Sequence, residues 1–130
     1  MARESCFAIT QTTKGRLPRL PFKRMKNDIV GKHYTLSTAF VGDARAATLN
    51  RTYRGKHTPA NVLSFPLSKN EGEIIINPHQ AKRDAKQFNM SKKQFVGYLF
   101  IHGLLHLKEY AHGSKMNREE ERLLKKFDIV

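Results

Sequence analysis

The strongest constraint on this chain is a capped apolar segment near its C-terminus, running from Ser91 to Leu107. Ser91 and Gln94 form a capping-box pair, and Met90 and Phe95 flank it at the spacing of a hydrophobic staple, so a helix starts here. Val96, Leu99, Phe100, Gly103, Leu104 and Leu107 recur at three- and four-residue steps, the stripe of a helix anchored in a core. His102 and His106 sit at the edge of that stripe. Four residues apart, they share one helix face, where both imidazoles can reach one ion. His112 follows six residues later, which on a continuing helix would rotate it about 240° from His106. The chain must turn before His112 can join the pair. Three neutral imidazoles fill three corners of a tetrahedral Zn²⁺ and leave the fourth for water, the arrangement of a hydrolytic site. A metal centre is therefore the first hypothesis, and a pair of core or surface histidines is its alternative.

Charge points to the partner. With 24 Lys and Arg against 11 Asp and Glu, the net charge of +13 would draw the protein to a polyanion. Nucleic acid is the commonest such partner, and binding would weaken steeply with salt through counterion release. The alternative is a solvated basic surface. At 130 residues one domain is expected, spanning residues 1–130. Cys6 is the only cysteine, so there is neither an internal disulfide nor a CxxC ligand pair, which fits a reducing cytosol. No apolar run has the length of a signal peptide or membrane span, so a cytoplasmic protein without a membrane partner is expected.

Along the chain, alternation predicts strands over Cys6 to Thr12, His33 to Val41, Asn61 to Phe65 and Glu73 to Ile76. Pro66 ends the third strand at or near a sheet edge, and the triple isoleucine of the fourth suggests burial on both faces. Helices are expected from Pro21 to Gly31, from an N-cap at Asp43 to about Tyr53, and from Asn77 and Pro78 with Ala81, Ala85 and Phe88 inward. The basic stretch Lys14 to Arg24 reads as solvated surface or a phosphate track. After the histidine helix, Asn117 is expected to cap the last one, with Met116, Leu123, Leu124 and Phe127 apolar and Glu119 to Glu121 complementing its dipole. Strands crowd the first half and helices the second, an α+β plan of four strands and about five helices.

One residue decides what kind of hydrolysis is open. In the zincin motif H-E-x-x-H the residue after the first ligand is the general base, whereas here it is Gly103. A peptidase mechanism lacks its base. Glycine at that position permits close backbone packing or substrate approach, at a helix-propensity cost of about 1 kcal/mol.

Upstream lies a second dense cluster, Leu49-Asn50-x-x-Tyr53-Arg54-Gly55-Lys56 followed by Pro59-Ala60-Asn61-Val62-Leu63-Ser64-Phe65-Pro66. Together with H-G-x-L-H-L-x-x-Y-x-H, it resembles the YbeY family of endoribonucleases, the bacterial rRNA maturation factors. The resemblance covers about Asp43 to the C-terminus. It implies a small mixed sheet packed with helices, with one Zn²⁺ per chain in a cleft between sheet and histidine helix. It places the zinc ligands on His102, His106 and His112 and the family's arginine on Arg54. The implied activity is metal-dependent hydrolysis of single-stranded RNA in 16S rRNA 3′-end processing and ribosome quality control, with rRNA precursor and the small ribosomal subunit as partners.

On that reading Arg54 would clamp the scissile phosphate and stabilise developing charge, and Lys56 would hold the RNA backbone. A surface salt bridge or loop tie is the alternative for Arg54. Tyr53 and Tyr110 could stack on bases, with core packing the alternative for Tyr53. No carboxylate stands out as a general base. The sequence departs from the family's H-L-x-G-Y-D-H at Glu109 and Ala111, and also at His57, Ala60 and Glu73; none of these changes deletes a metal ligand.

Overall fold

The structure, a computed structural model, describes residues 6–108 and 113–130. Its order is β1 (Phe7–Gln11), α1 (Phe22–Ile29), β2 (Thr35–Phe40), α2 (Asp43–Arg54), β3 (Val62–Ser68), β4 (Glu71–Ile76), α3 (Pro78–Ala85), α4 (Lys92–Leu107) and α5 (Ser114–Lys126), with a 3₁₀ turn at Lys86–Phe88. The four strands form one mixed sheet in the order β1-β2-β4-β3, parallel except for β3, which pairs antiparallel with β4. The α+β class and the four-stranded mixed sheet are as expected.

The two faces of β4 explain the triple isoleucine. Side chains alternate across a strand, so Ile74 and Ile76 enter the main core with α1, α3, α4 and α5, while Ile75 enters a smaller core beneath α2 with Val41, Ala46 and Leu63. All three are buried. The result is three layers, with α2 alone on one face of the sheet and four helices on the other.

The capping box of α4 forms as expected: Gln94 N–H donates to Ser91 Oγ at 3.1 Å and Ser91 N–H to Gln94 Oε1 at 2.8 Å. The helix is not striped, however. Ile101 and Leu105 are buried along with the predicted apolar positions, because α1, α3, α5 and the sheet all touch it. Asn77 caps α3 through Oδ1, which accepts from the His79 and Gln80 amides, with Pro78 in the first turn.

Four local expectations are corrected. Pro66 does not end β3, which continues to Ser68 across a register shift. The strand is at the sheet edge, where a missing ladder donor is tolerated. Gly42 rather than Asp43 is the N-cap of α2, and the Asp43 carboxylate instead accepts from Asn77 Nδ2 at 2.8 Å and pairs with Arg83 at 2.6 Å. Phe88 does not point inward; the 3₁₀ turn leaves it exposed, stacked on Phe95 at 5.3 Å. α5 begins at Ser114 after Gly113, so Asn117 lies inside the helix rather than at its cap.

A candidate metal centre and its cleft

The last turns of α4 carry His102 and His106, both half-buried. Their Nε2 atoms are 3.1 Å apart and the rings meet edge to face. Two nitrogens bound to one tetrahedral Zn²⁺ at ordinary Zn–N lengths stand about 3.3 Å apart, so this donor pair fits a metal with little movement. The expected third ligand, His112, lies outside the described residues, as do Glu109, Tyr110 and Ala111. Among the described residues no group of three or more His, Cys, Asp or Glu converges on a point that could hold an ion.

Behind the pair stands a residue that the sequence reading assigned elsewhere. Glu120 on α5 is buried, and its Oε2 lies 2.5 Å from His102 Nδ1. Of the acidic triplet, Glu119 binds Arg122, which holds its carboxyl below the usual range, and Glu121 is exposed. Only Glu120 faces inward. The signal was present in the sequence: Met116, Glu120, Leu123 and Leu124 follow helical spacing, so Glu120 puts a carboxylate on a core-facing stripe, which is costly unless it is paired. Burial pushes the Tyr98 phenol above its ordinary value, and the negative charge of Glu120 adds to that; the Tyr98 ring lies 5.7 Å from that of His102.

The second dense sequence cluster proves to be a helix stop. Gly55 takes φ 68°, the left-handed geometry glycine tolerates, and its N–H bonds to Arg51 O while Lys56 N–H bonds to Asn50 O. The Gly55 bond closes α2 as an αL ending, and the Lys56 bond holds the chain beyond it. Asn50 is buried, and its Nδ2 donates to Thr58 O at 2.8 Å, which pins the following loop. Leu49 packs against the small core. Arg54 is therefore the last helical residue before a fixed turn, and it lines a cleft of about 600 Å³ together with His102, His106, Ser64 and Phe65. Tyr53 lines the same cleft, but it is not a core residue: it is 66% exposed, with its ring edge-on to Phe65 at 5.2 Å. Lys56 is exposed on the loop and is not part of the cleft lining.

The role of Gly103 follows from the floor of this cleft. Ser64 Oγ on β3 donates to Gly103 O at 3.2 Å, and a Cβ on Gly103 would come within 2.9 Å of that Oγ and 3.1 Å of Ile74 Cδ1. Glycine lets α4 press onto β3 and β4 and so brings the histidines to the edge strand. Close packing, not substrate approach, is the reason for it.

A guanidinium and two imidazoles around one cleft make a site suited to an anionic oxygen, such as a phosphate, beside a metal. The family model described as endoribonuclease YbeY matches residues 10–128. The protein named endoribonuclease YbeY in Thermodesulfovibrio yellowstonii is 39% identical over 102 residues, covering 68% of this chain and 64% of that protein, so the match spans just under two thirds of the relative's length. The protein of the same name in Pelotomaculum thermopropionicum is 31% identical over 139 aligned positions, covering 95% of this chain and 91% of the relative. In fold, the chain is similar to the solution structure of a Thermotoga maritima protein, with a TM-score of 0.66 and 25% identity over 93% of this chain and 88% of that one. The chain belongs to the endoribonuclease YbeY family.

Proposed function

We propose that this chain is a zinc-dependent endoribonuclease that cuts single-stranded RNA in rRNA maturation, at the 3′ end of 16S rRNA, and in ribosome quality control. Family membership supports the endoribonuclease role. The observation that carries the metal and phosphate chemistry is the single cleft that Arg54 shares with the converging Nε2 atoms of His102 and His106. His102 and His106 would hold the ion together with His112. A bound Zn²⁺ supplies a Lewis acid that polarises a water or a phosphate oxygen.

The remaining work falls to this chain's own side chains. Arg54 clamps the scissile phosphate through its forked N–H donors and stabilises the charge that grows on the phosphorane oxygens. Lys56, just outside the cleft, holds the RNA backbone by charge, and the +13 surface supplies the longer-range attraction to rRNA. Exposed Tyr53 offers a ring on which a base can stack. The packing at Gly103 speaks against a peptidase, since a glutamate in that position would meet Ser64 and Ile74.

Metal analysis combined with cleavage of an rRNA precursor tests this reading. Wild type is expected to carry about one zinc per chain and to cut. His106→Ala loses both metal and cleavage, and Arg54→Ala keeps metal and loses cleavage. Metal retained in His106→Ala would refute the ligand assignment. RNA binding without turnover under any condition would point to a noncatalytic assembly protein with structural zinc.

A further inference from the structure

We propose that Glu120 is a positioning residue for metal capture: it accepts the Nδ1 proton of His102 and so turns the Nε2 lone pair of that ring toward His106. The inference rests on the metal reading above. Its basis is geometric. Glu120 Oε2 is 2.5 Å from His102 Nδ1, and on the opposite side of the same ring Nε2 is 3.1 Å from His106 Nε2. An ionised carboxylate can only accept, so in this pairing Nδ1 is the protonated nitrogen and Nε2 carries the ring's lone pair. A ligating histidine needs its other ring nitrogen held in this way, both to fix the tautomer and to keep the ring from swinging.

Placement of the carboxylate argues for a role beyond helix pairing. Glu120 sits on the apolar face of α5, between Met116 and Leu123, where a hydrophobic side chain would pack against α4 without the cost of burying charge. The side chain of Glu120 is 9% exposed and that of His102 is 20% exposed, so water screens the contact little. The structure also couples α5 to the site: a helix that follows the expected third ligand in sequence returns to brace the first.

The alternative role is a structural clasp between α4 and α5, and the experiment separates the two. Zinc affinity of the full chain is measured by competition with a chromophoric chelator for wild type, Glu120→Gln and Glu120→Ala. Alongside it, ¹⁵N spectra of the metal-free wild type report the His102 tautomer. Glu120→Ala is expected to bind zinc about 10- to 100-fold more weakly. Glu120→Gln falls between, because its amide oxygen still accepts the Nδ1 proton. The Co²⁺-loaded Ala variant should show a shifted ligand-field spectrum, which a clasp would leave unchanged. The metal-free wild type should show the Nδ1–H form of His102. Affinity within twofold of wild type in both variants, or a dominant Nε2–H tautomer, overturns the proposal. Should Glu120→Ala not fold, the Gln variant and the tautomer still decide it. Failure of wild type to bind zinc refutes the metal reading, while the tautomer tests Glu120 separately.

Discussion

Asn50 offers the sharpest test of how the second sequence cluster positions the site. Its Oδ1 is buried without a hydrogen-bond partner among the described residues, so its contribution rests on Nδ2, which donates to Thr58 O at 2.8 Å. Asn50→Ala strands that partly buried carbonyl, at a cost of about 1–3 kcal/mol. Alanine returns about 0.6 kcal/mol through better helix propensity. The net loss is about 1.5 kcal/mol, which for a chain of this size lowers the melting temperature by about 5 °C. Asn50→Asp keeps the shape but aims an unpaired buried carboxylate at the same carbonyl, and should cost about 3 kcal/mol or more at neutral pH.

The sign of its pH dependence is fixed by the same geometry. Burial beside a carbonyl raises the introduced carboxyl above its unfolded value, and the protonated form can donate to Thr58 O. The Asp variant is thus nearest to wild type in acid and loses stability as pH rises through the raised value. Urea melts of wild type and both variants between pH 4 and pH 7.5 check this. An Asp variant no less stable than the Ala variant at neutral pH, or a gap between them that does not change with pH, would refute the account of this loop.

Three further outcomes follow from the same geometry. Asn77 and Arg83 hold the Asp43 carboxyl below its ordinary value, so the stability it adds is present above the unfolded carboxylate range and fades as pH falls through the lowered value; Asp43→Asn should flatten part of the acid limb in denaturation midpoints taken from pH 3 to pH 6. Gly103→Ala gains about 1 kcal/mol of helix propensity but crowds Ser64 Oγ and Ile74 Cδ1, an overpacking cost of about 1–3 kcal/mol. A lower melting temperature is expected, and a rise would mean that the contact between α4 and β3 is loose. Lys56→Ala should weaken binding of unstructured RNA evenly across sequences and reduce the slope of log affinity against log salt by about 0.7, the value for one phosphate contact. A preserved slope would remove Lys56 from the RNA track.

Legibility in the sequence followed the range of the interaction. The cap of α4 is written in Ser91 and Gln94, that of α3 in Asn77 and Pro78, and the end of α2 in Gly55, because each is a bond between residues a few positions apart. Asp43 and Asn117 misled for the same reason. Each has the chemistry of a cap, but the partner that claims Asp43 is Arg83, forty residues away, and Gly113 caps α5 four residues earlier than a local motif suggests. Phe88 reads as core by spacing, and only the 3₁₀ turn after Ala85 shows it turned outward.

The sequence by itself determined the strands and helices and the four-residue spacing that puts two imidazoles on one face. It also carried the family resemblance through which Arg54 enters the site, since periodicity and motif are properties of order along the chain. Tertiary structure alone decided that Arg54 and the histidine pair share one cleft and that the glycine after His102 is a packing contact with Ser64. It alone decided that the core-facing glutamate of the triplet meets His102. Those facts depend on how α2, β3, α4 and α5 meet in space, and the sheet order that brings them together is fixed by burial of two cores at once, which no stretch of local sequence contains.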